Sequence, residues 1–453
     1  MRRLAIMALV FGLAVMPGRA PAQNGETDTL RRELEQLKRQ QLEYQEAIEA
    51  LSERLRRLEA PPPSVASPPA QAPSNAETQT GPLSPGDVLR PRQPFTLSQR
   101  GTGQLLFDMG VTGDFVGNFT QHNAQKATAG TFSGRENRFF PREVELNLFG
   151  QIDPYARADV RIEAGEDTPG TETQVSLAEA TITLLTMPYG TQAKFGQMRN
   201  RFGWSNAIHE HDLPWVDRPD VYRIFLGEDG FKEKGIEATW VPDFLPFYVE
   251  VLGGVFNGDN ETAFGRGVLT HPLVTGRVRA YFDVTDTNAI QVGTSIASGE
   301  TGERLRSRLL GYDVKYKYRP EGWLHPLLTV GTESVYSMRR VEIGDPSAGD
   351  VVDKRTRDRF GWYGWAELQP ARRWAFGTRY DWTQYPVNPG QQWAIEPYVT
   401  FFPSEFFRVR LGVKHTERDH RDGFDLNGGS GRRVDEVFLQ GTFILGAHPA
   451  HPF

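Results

Sequence analysis

From Phe95 onward apolar and polar residues take turns along the chain. In EFFRVRLGVKH, Phe407, Val409, Leu411 and Val413 fall on one face of an extended segment and Arg408, Arg410 and Lys414 on the other, because successive side chains of a strand point to opposite sides of its sheet. GRVRAYFDV sets Val278, Ala280, Phe282 and Val284 against Arg277, Arg279 and Asp283, and YDVKYKYR sets Tyr312, Val314, Tyr316 and Tyr318 against Asp313, Lys315 and Lys317. RWAFGTRYDW opposes Trp374, Phe376, Tyr380 and Trp382 to Arg373, Arg379 and Asp381; YARADVRIE opposes Ala158, Val160 and Ile162 to Arg157, Asp159, Arg161 and Glu163. Between clusters of Gly, Asn, Asp and Pro the pattern recurs sixteen times in residues 95–453, with segments near 104, 137, 154, 173, 189, 233, 245, 273, 289, 307, 325, 358, 373, 391, 405 and 433. Helical periodicity is nearly absent from this region.

Charged faces of this length also occur on soluble β-sandwiches. Here, however, aromatic residues gather towards strand ends on the apolar face (Tyr312, Tyr318, Trp362, Trp365, Trp374, Trp382, Phe401, Phe402), where a membrane barrel carries its interfacial girdles. The number of segments is even, and about 22 residues per segment leave room for a tilted strand of 9–11 residues with its turn. The last residue, Phe453, is an aromatic terminus of the kind bacterial barrel assembly reads. These features predict an all-β transmembrane fold, a sixteen-stranded antiparallel outer-membrane β-barrel over residues 95–453.

The N-terminal part is organised differently. Arg2 and Arg3, an apolar run from Leu4 to Met16 and the small residues Gly18, Ala20 and Ala22 predict a cleaved signal peptide over residues 1–22, since that run is too short to span a bilayer. In residues 27–60, Leu30, Leu34, Leu37, Gln41, Tyr44, Ile48, Leu51, Leu55 and Leu58 alternate at spacings of four and three, the heptad seam of a short coiled-coil helix with polar Gln41 fixing its register. Residues 61–94 contain ten prolines and read as a semi-rigid linker rather than a domain. Stalk and linker predict a periplasmic N-terminal extension that touches peptidoglycan or another periplasmic partner. The expected location is the outer membrane of a Gram-negative-type bacterium, with outer-membrane lipid around the barrel.

The chain has no cysteine, so a secreted product of this size relies on a closed hydrogen-bonded framework and not on disulfides. The formal charge is −6, and removing Arg2, Arg3 and Arg19 with the signal takes it to about −9; that balance excludes a nucleic-acid-binding surface.

Chemistry concentrates in AIHEHDLPWVDRP, residues 207–219, within the longest non-repetitive stretch, residues 200–231. His209 and His211, two apart, suit a pair of metal ligands, and His448 and His451 form a second close pair at the terminus. Hydrolases that use H-x-H after a strand need strand–helix alternation, which this sequence lacks, so no enzymatic activity and no cofactor are expected. A sixteen-stranded barrel encloses a lumen too wide to select solutes unless a loop narrows it. Residues 200–231 are the candidate constriction loop, with Arg199, Arg201, Arg218 and Arg223 beside Glu210, Asp212, Asp217 and Asp220.

FGQMRNRFGWS, residues 195–205, resembles the G-Q-(basic)-x-P-F-G block of the phosphate-selective porins O and P. Gly196, Gln197, Phe202 and Gly203 fit; Arg201 stands where the family has proline. The resemblance implies a homotrimer of sixteen-stranded barrels that carries anions past ladders of arginine and lysine. On the quoted faces the basic residues Arg157, Arg161, Arg277, Arg279, Lys315, Lys317, Arg373, Arg379, Arg408, Arg410 and Lys414 outnumber five acidic ones, although EVELN adds Glu143 and Glu145. A water-filled passage between low-dielectric walls focuses such an excess. The expectation is a general porin for small solutes with a mild preference for anions such as phosphate. Two alternatives stand beside it. One is a metal (zinc)-linked outer-membrane transport protein, since the GAHPAHPF ending is similar to outer-membrane proteins linked to zinc supply. The other is an envelope-tethering protein that uses the barrel as an anchor.

Overall fold

The computed structural model describes residues 99–100, 103–104, 107–120, 137–166, 173–322, 324–343, 353–419 and 433–446. The predicted signal peptide, coiled coil and linker, and the terminal pair His448 and His451, lie outside the described residues.

A short ladder pairs Gln99–Arg100 with Gly103–Gln104. Sixteen strands then follow: β1 Phe107–Thr120, β2 Arg138–Asp153, β3 Ala156–Gly165, β4 Gln174–Met187, β5 Thr191–Arg199, β6 Lys232–Trp240, β7 Tyr248–Phe256 and β8 Leu273–Thr285, then β9 Asn288–Glu300, β10 Arg306–Tyr318, β11 Leu327–Ile343, β12 Asp353–Ala371, β13 Trp374–Gln384, β14 Gln391–Ser404, β15 Phe407–Arg418 and β16 Arg433–Gly446. Each pairs antiparallel with its neighbours in sequence, and β16 closes on β1, with Gly446 opposite Gly110 and Glu436 opposite Thr120. Closure leaves no strand edge, so every ladder hydrogen bond is made inside the sheet, as a strand-built membrane segment requires. Every predicted segment falls within about five residues of an observed strand start. The fold is a closed sixteen-stranded outer-membrane β-barrel.

Burial along the strands is inverted relative to a soluble protein. On β15, Leu411 and Val413 are 46% and 45% exposed while the flanking Arg410 and Lys414 are 2% exposed. On β10, Tyr312 and Val314 are exposed and Asp313 is buried; on β13, Phe376 is exposed while Arg379 and Asp381 are buried. The apolar face therefore looks outward to lipid and the charged face inward, as the alternation predicted. Outside, Trp374 packs on Phe401 with ring centroids 4.6 Å apart, Phe247 on Phe282 at 4.8 Å, and Trp362 on Tyr380 at 5.6 Å. Trp365 is a correction to the predicted girdle. It faces inward, 5% exposed, because it shares the face of Tyr363 and pairs with the lumenal Arg379 across β12 and β13.

Two barrel ends result. At one, β2–β3, β8–β9, β12–β13 and β14–β15 turn in two residues each; at the other, among the described residues, 200–231 and 257–272 form long connections. Short turns belong to the periplasmic end of such barrels and long loops to the outside.

Candidate functional site

The 200–231 connection between β5 and β6 folds into the barrel. Its neck is closed by backbone and amide bonds: Asn200 N–H donates to Phe231 O at 2.8 Å, the Asn206 amide donates to Asn200 O and Phe231 O, and its oxygen accepts from Phe231 N–H. Both ends need glycine. Gly203 has φ +69°, and a Cβ there would meet the Tyr222 hydroxyl at 1.8 Å; Gly230 has φ +72°, with Asn206 Oδ1 2.6 Å from the same position. The left-handed region carries a steric cost for other residues. A Phe202–Gly203 pair therefore has a local reason, with Phe202 buried and Gly203 making the turn. Gln197 holds the preceding strand by donating to Leu177 O and Ala178 O, beside the irregular β4 pairing.

Inside the neck the loop makes a 3₁₀ turn, Glu210–Asp212, and a single helix α1, Asp220–Leu226, which ends at Gly227. Val221, Tyr222, Ile224, Phe225 and Leu226 are all buried. Of these, Val221, Tyr222, Phe225 and Leu226 join a small apolar core inside the barrel that includes Phe202, Trp215, Phe231, Phe256, Phe264, Leu273, Leu309, Val335 and Tyr363. Trp215 is fully buried, edge-on to Tyr363 and Trp365 at 5.5 and 5.3 Å, and Trp204 stacks on Trp365 at 5.5 Å.

Polar anchors come from strands all around the wall. Glu333 on β11 accepts from the backbone N–H groups of Trp204 and Ser205, the Ser205 hydroxyl, and the Tyr222 and Tyr363 hydroxyls. Arg379 on β13 donates to Asp217 O and Oδ1 at 2.6 and 2.7 Å and pairs with Asp381 and Glu396 at 2.7 and 2.9 Å. Lys414 on β15 bridges Asp217 and Asp220 at 2.9 and 2.8 Å; Arg410 donates to Trp215 O and Gln440 at 2.8 Å. Buried ion pairs cost desolvation and are retained where geometry matters. Here they fix one position for the loop.

The sequence-predicted residues divide accordingly. Among the loop arginines, Arg199 donates to Asp229 O at 2.6 Å, Arg201 pairs with Glu237 and Glu250, Arg218 is buried against Ile208 O and Glu210, and Arg223 pairs with Glu228, Asp217 and Asp220. Among the wall residues, Arg157 pairs with Asp159, Arg161 with Glu179, Arg277 with Asp313, Arg279 with Glu250 and Arg408 with Asp212. Lys315 lies 4.2 Å from the Trp204 ring centroid, Lys317 stands opposite Ala289 near the tight-turn end, and Arg373 sits in the β12–β13 turn.

The eleven-to-five excess of the sequence reading is therefore not an unpaired ladder. The strands also bury Asp114, Glu179, Glu237, Glu250, Glu333, Glu396 and Glu436, residues outside the quoted segments. No periodicity says which carboxylate a given arginine will meet, because the partners lie on different strands.

His209 and His211 are buried where the loop touches β2. His209 Nδ1 lies 2.7 Å from Glu145 Oε2 and 3.6 Å from Glu143 Oε1; His211 Nδ1 lies 3.2 Å from Glu143 Oε2. On its far side His211 Nε2 faces Asp212 Oδ2 at 2.9 Å. Burial alone would depress the His211 pKa, but Asp212 and Glu143 outweigh it and hold the imidazole well above the ordinary histidine range. Glu143 and Glu145, read from sequence only as added charge, stand two apart on one face of a strand, which is the signal that could have placed them together.

The closed sixteen-stranded antiparallel sheet, with a loop folded inside it, defines an outer-membrane β-barrel. A solved structure shares this fold. The outer membrane channel DcaP of Acinetobacter baumannii superposes with a TM-score of 0.50 at 11% identity, covering 75% of this chain and 97% of that one. The anion-selective porin from Comamonas acidovorans gives 0.48 at 11% identity, over 75% and 98% of the two chains. In sequence, an uncharacterized protein of Aquifex aeolicus (strain VF5) is 28% identical over 342 residues, 68% of this chain and 69% of its own length. No family model matches the chain.

Proposed function

We propose that this barrel is a water-filled outer-membrane porin that passes small solutes by passive diffusion, with a mild preference for anions such as phosphate. One observation supports the anion preference: on the tight-turn side of the loop, each arginine of a pair is more exposed than its carboxylate. Side-chain exposure is 51% against 14% for Arg157 and Asp159, 30% against 4% for Arg201 and Glu237, and 21% against 6% for Arg279 and Glu250. Arg408 at 18% against 5% for Asp212 follows the same order. Solutes on that side meet the guanidinium of each pair more than its carboxylate, and guanidinium suits phosphate oxygens. At the long-loop end the order reverses, with Glu228 at 69% and Asp229 at 71% exposed against 11% and 21% for Arg223 and Lys232. That reversal keeps the preference mild. The resemblance of residues 195–205 to the phosphate-selective porins supports the same reading, and the heptad seam supports a homotrimer.

Reversal potentials in planar bilayers under a potassium chloride gradient test it. The expected chloride-to-potassium permeability ratio is roughly two to five, falling to one or below in the triple variant Arg157→Gln, Arg201→Gln, Arg279→Gln, with conductance appearing in steps of three. Cation selectivity in the unaltered protein would contradict the anion preference, and absence of conductance would favour the tethering role.

A further inference from the structure

We infer that Glu143, Glu145, His209 and His211 form a binding site for a divalent transition-metal ion, zinc by its coordination chemistry, which fastens the inserted loop to the barrel wall. Two ligands come from β2 and two from the loop's 3₁₀ turn, so the ion would sit at the junction of the two. One donor atom from each of the four residues can be chosen so that all lie within 4.8 Å of one another, and all four residues are buried. Zinc bonds of about 2.0–2.2 Å place neighbouring donors roughly 3–3.6 Å apart, so small side-chain rotations complete a tetrahedron. Two carboxylates balance the ion's charge, and the imidazoles select a first-row transition metal over magnesium or calcium, which take oxygen donors.

The arrangement behind the ligands points the same way. Both histidines turn Nδ1 toward the glutamates. Behind them, His211 Nε2 faces Asp212 Oδ2 at 2.9 Å and His209 Nε2 faces Glu179 Oε1 at 4.0 Å. Asp212 stands where the usual outer carboxylate that fixes a ligating imidazole's tautomer stands, while Glu179 lies too far for a hydrogen bond and accepts from Arg199 N–H. Independently, Glu145 is buried with neither oxygen in an aligned hydrogen bond, and the same holds for both ring nitrogens of His209. The 2.7 Å contact between them is close but out of line. A carboxylate and an imidazole left this way in a buried setting carry a high cost unless a ligand completes them. The His211–Glu143 pair is aligned at 3.2 Å; the His209–Glu145 pair beside it is the one left incomplete. This site depends on the loop's position alone and holds whether or not the pore prefers anions.

The test uses the full chain in detergent, stripped with a chelator and then dialysed against zinc ions alone. One ion per chain is expected, with no displacement by excess magnesium. His209→Ala and Glu145→Gln should each weaken binding at least about a hundredfold, and Asp212→Asn about ten- to a hundredfold; His448→Ala with His451→Ala should leave the stoichiometry unchanged. Because ligand variants can unseat the loop, zinc-edge absorption on the unaltered protein gives a second reading, two imidazole nitrogens and two carboxylate oxygens. Absence of saturable binding, full binding in both ligand variants, loss of the ion with the terminal histidines, or a spectrum without two imidazoles would each overturn the site.

Discussion

Replacing residues 204–228 by two glycines should raise single-channel conductance roughly three- to tenfold, because a sixteen-stranded barrel without an inserted segment is a wide aqueous tube. The neck makes this deletion feasible: Asn200 N and Phe231 O already meet at 2.8 Å, so a short hairpin can join β5 to β6. What is removed is the segment that carries Trp215, α1 and the anchors to Glu333, Arg379 and Lys414. These contacts reach β11, β13 and β15, strands well separated from β5 and β6 around the wall. A segment tied to so much of the circumference cannot stand outside the mouth. An unchanged conductance, measured in planar bilayers with the barrel intact by its heat-dependent gel mobility, would mean that the loop does not limit passage.

Leu411→Arg should destabilise the folded barrel by about 2–4 kcal/mol, the cost of an arginine facing lipid near the bilayer midplane. Leu411 lies in the middle of β15, opposite Val399 and Leu439, and is 46% exposed. In a water-soluble sheet the same exposed position would tolerate the change within about 0.5 kcal/mol. Urea unfolding in lipid vesicles separates the two cases, with Leu411→Ala as the control for lost contact area.

Much of this architecture is legible in the amino-acid order for a simple reason. When one face of every strand meets lipid and the other meets charged neighbours, period-two alternation persists through each strand, as in Phe407 to Lys414, and its interruptions mark the turns. The loop 200–231 was legible as the stretch where alternation stops. What alternation does not encode is pairing across the lumen. Nothing near Glu333 in TESVYS announces that it receives Trp204, Ser205, Tyr222 and Tyr363 at once. Nor does the sequence around Arg379 name Asp217 as its partner, 162 positions away. Trp365 was misplaced for the same reason. An aromatic near a strand end fits a lipid girdle in general, but this one stands at an inward register position, and Trp204 and Trp215 supply it with aromatic neighbours there. The histidines were found by their spacing, and the carboxylates that meet them come from a strand more than sixty residues earlier.

The absence of cysteine permits the most direct test of the inside-out barrel. Single cysteines placed in turn at positions 407 to 414, spin-labelled and reconstituted in lipid vesicles, report accessibility to oxygen dissolved in lipid and to a water-soluble nickel complex. The account predicts strict alternation, with 407, 409, 411 and 413 favouring oxygen and 408, 410, 412 and 414 shielded from lipid. Uniform access of the aqueous reagent along the segment, or no alternation at all, would contradict it.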